Sequence, residues 1–255
     1  MPNLYDENFF DARRDGSLAS ARRVVPIVAE MTRCRSVIDV GCGLGTWLAA
    51  FREQGIEDFR GIDGDYVNKD RLLIPREAFL TADLSQPLKA DRHFDLAVSL
   101  EVAEHLPPAV SELFVKLLTS YSPVVLFSGS LPYQDGTGHI NEHWLEYWVE
   151  LFRQRGYRAV DCLRPMFWND SDVDWWYAQN MMLYVSERHL ADYPRIEALA
   201  RTTLPPLTYV HPKFLIYKEN RLQGGLRVKE LWKTAFQRTG RAIIRRLINR
   251  GPIVK

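Results

Sequence analysis

Three glycines, Gly41, Gly43 and Gly45, follow directly on the apolar run Val37-Ile38-Asp39-Val40, just ahead of a segment with helical character that begins at Thr46. Such a junction suits a ligand. Glycine turns the main chain through conformations closed to residues with a Cβ, and it leaves room for a bound molecule to lie against the backbone. A helix opening at Thr46 aims its first N–H groups into the same space. The spacing is G-x-G-x-G, whereas dinucleotide-binding loops place the third glycine one residue later, so NAD is disfavoured. Acids recur at successive strand ends: Asp39 itself, Asp63 in Gly61-Ile62-Asp63, Asp83 in Ala82-Asp83-Leu84, and Glu101 after Ser99-Leu100. Farther on, His139 and His143 stand four apart with Glu142 between them. A positioned base of this kind can take a proton from a hydroxyl, worth about 10²–10⁴-fold in rate.

These residues need a scaffold that gathers strand ends in one place. Strand-like and helix-like segments alternate after residue 36, which predicts a parallel sheet with helices on both faces. Strands are expected at Ser36–Val40, Phe59–Asp63, Phe79–Thr81, Phe94–Leu100 and Val124–Ser128. Helices are expected from Thr46 through Phe51 and from about Pro108 to Tyr121. Trp144, Leu145, Trp148, Leu151 and Phe152 recur at helical spacing, so Asn141–Arg155 reads as a helix capped by Asn141 and stopped by Gly156. Tyr157–Leu163 and Trp176–Val185 read as two final strands, joined by a turn-rich loop through Asn169 and Asp170. From about Leu204 the sequence becomes proline-rich and reads as a linker.

At 255 residues the chain is long enough for one main α/β domain with an appendage. Its 46% hydrophobic and 25% charged residues are ordinary for a globular protein, so overall disorder is not expected. Cys34, Cys42 and Cys162 lack C-x-x-C spacing and are too few and odd for a disulfide framework, which fits a reducing cytosol. The first residues carry no export signal, and no apolar run approaches the roughly 20 residues of a membrane span, so a cytoplasmic location is expected. The net charge of +1 conceals an asymmetry: residues 221–255 hold ten Lys/Arg and one acid, a balance of +9, whereas residues 1–220 hold 23 and 31, a balance of −8.

S-adenosylmethionine (SAM) offers an amino-acid end, a ribose diol and an adenine around its sulfonium, and the chain has a candidate for each. Asp39 with Gly41, Gly43 and Gly45 can receive the methionine end. Asp63 can accept the ribose hydroxyls. Asp83 can accept from the adenine amino group with Leu84 against the ring, and Leu100 and Glu101 line the opposite wall. Together, Val37-Ile-Asp-Val-Gly-Cys-Gly-Leu-Gly45, Gly61-Ile-Asp63, Ala82-Asp-Leu84 and Phe94-Asp-Leu-Ala-Val-Ser-Leu-Glu-Val102 resemble motifs one to four of class I SAM-dependent methyltransferases, over residues 36–130. Tyr5, Gly138-His-Ile-Asn-Glu-His-Trp144, Arg164-Pro165 and Trp176-Tyr-Ala-Gln-Asn180 resemble, more loosely, a bacterial subgroup met in glycan and natural-product pathways. The resemblance implies an α/β fold: a Rossmann-like, seven-stranded, mostly parallel sheet with an antiparallel last strand, helices on both faces and a C-terminal helical tail. It also implies Tyr5 folded over the methionine end, and a sugar hydroxyl of a small-molecule or glycan acceptor as the target. The expected organisation is an arm and helix at 1–35, a SAM-binding domain at 36–203, and a linker with a tail at 204–255.

Within that reading His139 or His143 is the base, with the other, or Glu142, orienting substrate. A competing pattern involves a metal. Glu101, Glu104 and His105 with a later histidine, His139, resemble the divalent-cation site of small-RNA 3′-terminal 2′-O-methyltransferases; the same Glu-Val-Ala-Glu-His-Leu phrase also occurs in metal-free relatives, and no metal is expected. The acidic body argues against nucleic acid. A SAM-binding protein without transfer activity is a third alternative. Trp232, Phe236, Ile243 and Leu247 alternate with Lys233, Arg238, Arg241, Arg245 and Arg246 as in a basic amphipathic helix, suited to an anionic membrane surface, to the acidic body or to self-association.

Overall fold

The computed structural model describes residues 7–203 and 206–222, and the chain divides into two compact units, Met1–His211 and Pro212–Lys255. Tyr5 and the basic helix expected within residues 231–248 lie outside the described residues. In the second unit the described part is a helix over 212–222.

The first unit is organised by a seven-stranded sheet of order β3-β2-β1-β4-β5-β7-β6, with β1 Ser36–Val40, β2 Asp58–Asp63, β3 Phe79–Thr81, β4 Leu96–Leu100, β5 Val124–Ser128, β6 Tyr157–Val160 and β7 Met182–Ser186. The first five strands run parallel, and β7 inserts antiparallel between β5 and β6, as the family resemblance implied. Each central strand is apolar on both faces because helices cover both. The alternation sorts side chains cleanly. Val37, Leu96, Val98, Leu126 and Leu183 join one core with Val24, Val28, Leu48 and Phe51 from α1 Glu7–Thr32 and α2 Thr46–Glu53. Ile38, Val40, Ala97, Val125, Phe127 and Tyr184 join the other with α3 Ser111–Tyr121 and α4 Leu145–Gln154. Burying side chains of this size is worth about 1.5–3 kcal/mol each, which is what fixes the register.

Three expectations about elements need correction. The helix expected from Asn141 begins at Leu145, and Asn141 is no cap: its buried amide donates to the Ala103 carbonyl and to Ser111 Oγ, both at 3.0 Å. The main chain of Ile140 and Asn141 donates to the Glu104 carbonyl, and His143 N donates to the Ser130 carbonyl, so these contacts hold residues 140–143 outside the helix. The strand expected over Trp176–Val185 is half helix, α6 Trp175–Asn180, with β7 starting only at Met182. That turn of helix packs Tyr177 edge-on to Trp47 and turns Gln179 and Asn180 inward. Strand β6 stops at Val160 because Asp161 pairs with the buried Arg164 at the start of a short helix, α5 Arg164–Phe167, where a turn-rich loop was expected. A last helix, α7 Pro194–Thr202, closes the described first unit. No helix among the described residues is long and apolar enough to cross a membrane.

Candidate active site

Strand order reverses about β1, with β2 and β3 on one side and β4 on the other, and open α/β sheets bind ligands in the crevice that such a reversal leaves at the strands' carboxyl ends. Here that crevice is a cleft of about 770 Å³, within the range of small-molecule sites. Gly41, Gly43, Asp63, Asp83, Leu84 and Glu101 all line it. The glycine loop turns tightly because Gly41 N and Cys42 N both donate to the Ile62 carbonyl, at 2.7 and 3.1 Å. Gly41 has φ +89°, and a Cβ there would lie 2.4 Å from the Val102 side chain. Gly45 also has positive φ, but it sits at the N-terminus of α2 and packs toward Ile74 rather than lining the cleft.

The acids differ in what they already hold. Asp63 accepts from Gly43 N at 2.6 Å on one oxygen, and from Gly64 N and the Tyr66 hydroxyl on the other. Burial nevertheless pushes its carboxyl up, against the pull of those donors. Asp39 lies beneath the loop and is not part of the cleft wall; burial, reinforced by the charge of Asp63, drives its carboxyl well above the ordinary range. Asp83 is exposed and accepts from Ser85 N and Oγ, which hold its carboxyl low. Leu84 is buried against the cleft, whereas Leu100 is buried in the core below it.

Glu101 follows β4 in a left-handed backbone conformation, φ +55°, pinned by its N–H to Ser128 Oγ at 3.0 Å. Its carboxylate is held in a cage of neutral donors: Asn180 Nδ2 at 3.1 Å, Gln134 Nε2 at 3.0 Å and Ser130 Oγ at 3.2 Å. Gln134 Oε1 in turn accepts from Asn180 and Gln179. Asn180 closes the segment Trp176-Tyr-Ala-Gln-Asn180; Gln134 and Tyr66 carry no signal in the sequence, since an isolated Gln or Tyr in a polar loop has no diagnostic spacing.

His139 and His143 go to different places. The His139 ring meets His105 edge-on at 4.8 Å between centroids, and His105 and the next residue, Ile140, line the cleft. His139 Nδ1 and Glu142 Oε1 share a hydrogen bond of 3.0 Å, in which the ring N–H donates to the carboxylate. Gly136 packs so closely that a Cβ on it would fall 2.0 Å from His139 Nε2. The expectation that His143 shares this site is corrected: it stacks on Tyr147 at 3.7 Å, bonds Asn141 Oδ1 at 2.9 Å, and burial lowers its affinity for a proton. Packing against the aromatic face of α4 draws it inward.

Glu104 is fully buried, and its Oε2 has no hydrogen-bond partner. Burial and the charge of Glu101 push its carboxyl well above the ordinary range. Glu104, His105 and His139 each bring one ligand atom to within 4.8 Å of the others. Glu101, the fourth residue of the metal pattern, is outside that trio.

The fold has a counterpart among solved structures. An O-methyltransferase family protein from Burkholderia thailandensis superposes with a TM-score of 0.52 at 14% identity, over 71% of this chain and 60% of that one; the likeness is one of fold. The methyltransferase domain of bacterial CtHen1 is 22% identical over 66% of this chain and 97% of that one, with a TM-score of 0.48. The mitomycin 7-O-methyltransferase MmcR is 13% identical over 71% of this chain and 58% of that one, also at 0.48. No curated protein sequence matches the chain. A family model described as a methyltransferase domain matches residues 10–192, across the whole sheet and the cleft, and the chain belongs to that methyltransferase family.

Proposed function

We propose that the protein transfers a methyl group from SAM to a hydroxyl of a small polar acceptor, most suitably a sugar of a glycan or natural-product intermediate. SAM, when bound, supplies a methyl carbon already activated by the sulfonium. Gly41, Gly43 and Asp63 would hold its methionine and ribose portions, with Asp83 and Leu84 at the adenine; the cleft's volume and the absence of a Cβ at Gly41 and Gly43 on its wall fit such a molecule. The protein's own task is then orientation, exclusion of water and removal of the acceptor proton. His139 takes that proton at Nε2, and the Glu142 carboxylate on Nδ1 steadies the imidazolium that forms. The single observation that carries the reading is this His139–Glu142 pair, held one residue from the cleft wall. The test is a His139→Ala exchange: SAM binding by calorimetry should be unchanged while transfer to an acceptor drops by about 10²–10⁴-fold. Undiminished transfer would remove His139 as base.

A second reading is favoured by the orphaned Glu104 oxygen. Glu104, His105 and His139 have the donor types and the proximity to hold a divalent cation, and a buried carboxylate oxygen without a partner is the feature such an ion would satisfy. The cation would polarise the acceptor oxygen, and His139 would then serve as ligand instead of base. Turnover abolished by EDTA and restored by Mg²⁺ or Mn²⁺ supports this reading, and turnover indifferent to EDTA excludes it.

A further inference from the structure

Tyr133 is the most exposed large apolar side chain among the described residues, at 71%, on a loop whose neighbouring residue Gln134 is 95% buried. Looseness does not explain that exposure. The Tyr133 backbone is left-handed, φ +69°, a conformation that costs a bulky residue on the order of 1 kcal/mol or more and persists only when its surroundings enforce it. Two anchors enforce it. On one side Gln134 is bonded to Glu101, in the cleft wall. On the other, Tyr133 N donates at 2.9 Å to Glu142 Oε2, while the second oxygen of that same carboxylate holds His139. Ile140, next to His139 and itself 60% exposed, lines the cleft.

We infer that Tyr133 is an acceptor-contacting, specificity-determining residue, which with Ile140 grips the apolar face of a ring bearing the hydroxyl to be methylated, and that Glu142 is a positioning residue setting this grip and the His139 base together. The inference rests on the methyl-transfer reading of the cleft. A tyrosine ring presented to solvent on a strained, doubly anchored backbone is matched by a flat partner: an aromatic ring, or the C–H face of a pyranose. A flexible chain of hydroxyls has no such face. Both ring types share the chemistry, and the choice of probes separates them.

The test uses the full-length protein with S-adenosylhomocysteine and three probes: 3,4-dihydroxybenzoate, methyl α-D-glucopyranoside and the acyclic mannitol, with binding followed by saturation-transfer NMR. One of the ring probes is expected to bind and mannitol is not; which ring binds names the source. Tyr133→Ala should weaken the bound ring probe about tenfold, and Tyr133→Phe should leave it unchanged. Tyr133→Gly keeps the test independent of folding: glycine relieves the left-handed strain, so Tm should hold or rise while ring binding weakens as in the alanine variant. With a turned-over acceptor, Tyr133→Ala should raise KM and spare kcat, whereas Glu142→Gln should raise KM and lower kcat together. Binding of neither ring probe, equal binding of mannitol, or wild-type affinity in Tyr133→Ala overturns the inference. SAM calorimetry on the same samples separates the two levels: failure to bind SAM sinks the methyl-transfer reading, while SAM binding with an indifferent Tyr133 sinks only the ring grip.

Discussion

Asp63 already spends most of its accepting capacity on the protein. Its Oδ1 takes both Gly64 N–H and the Tyr66 hydroxyl, so a ribose diol must compete with Tyr66 for that oxygen. Tyr66→Phe removes the competitor, and SAM should bind several-fold more tightly by calorimetry; weaker binding would mean that the hydroxyl contacts the ligand instead. Gly136 makes a second prediction at this scale. A methyl group there collides with His139 Nε2, and the imidazole, as the far end of a side chain, is what gives way. Gly136→Ala should therefore cut kcat at least tenfold with little change in SAM affinity or Tm. Unchanged turnover would show that Nε2 takes no part in the chemistry.

Among the elements, the strands that carry the cofactor-side residues were legible because each is a short β-branched or apolar run ending in glycine or an acid. Ser36–Val40, Phe79–Thr81 and Val124–Ser128 were read to the residue. What misled was the acceptor side. Asn141 has the residue type of a helix cap, and Trp176–Val185 has the apolar density of a strand, but side-chain hydrogen bonds across the fold outweigh such local preferences. Asn141 joins the segments after β4 and β5, and loss of its buried amide in Asn141→Ala should cost about 1–3 kcal/mol in denaturant unfolding. The same reasoning explains His143, whose sequence spacing equals that of a site residue while its ring belongs to the aromatic layer of α4. That layer is itself a stability determinant. Phe152 is fully buried and stacked on Tyr184 at 3.8 Å, so Phe152→Ala should cost about 3–5 kcal/mol; a loss under 1 kcal/mol would contradict the packing described.

At the scale of the molecule, burial raises the proton affinity of several carboxyls in and around the cleft, Asp39, Asp63 and Glu104 among them. Asp39 binds its proton more tightly folded than unfolded, so its contribution to stability is complete below the ordinary carboxylate value of 3.8 and is lost as pH rises through its elevated folded value. Asp39→Asn should accordingly raise Tm at pH 8 relative to wild type and leave it unchanged near pH 3.5. An identical Tm at pH 8 would mean that Asp39 is charged and compensated when folded. The central claim, methyl transfer from SAM with His139 taking the acceptor proton, is tested most directly by following S-adenosylhomocysteine formation by mass spectrometry. Wild type and His139→Ala are compared on the same acceptor pool, with SAM binding measured in parallel. Both proteins should bind SAM equally, and only wild type should form the product at an acceptor-dependent rate. Absence of SAM binding by wild type, or product formation by His139→Ala at the wild-type rate, would contradict the account.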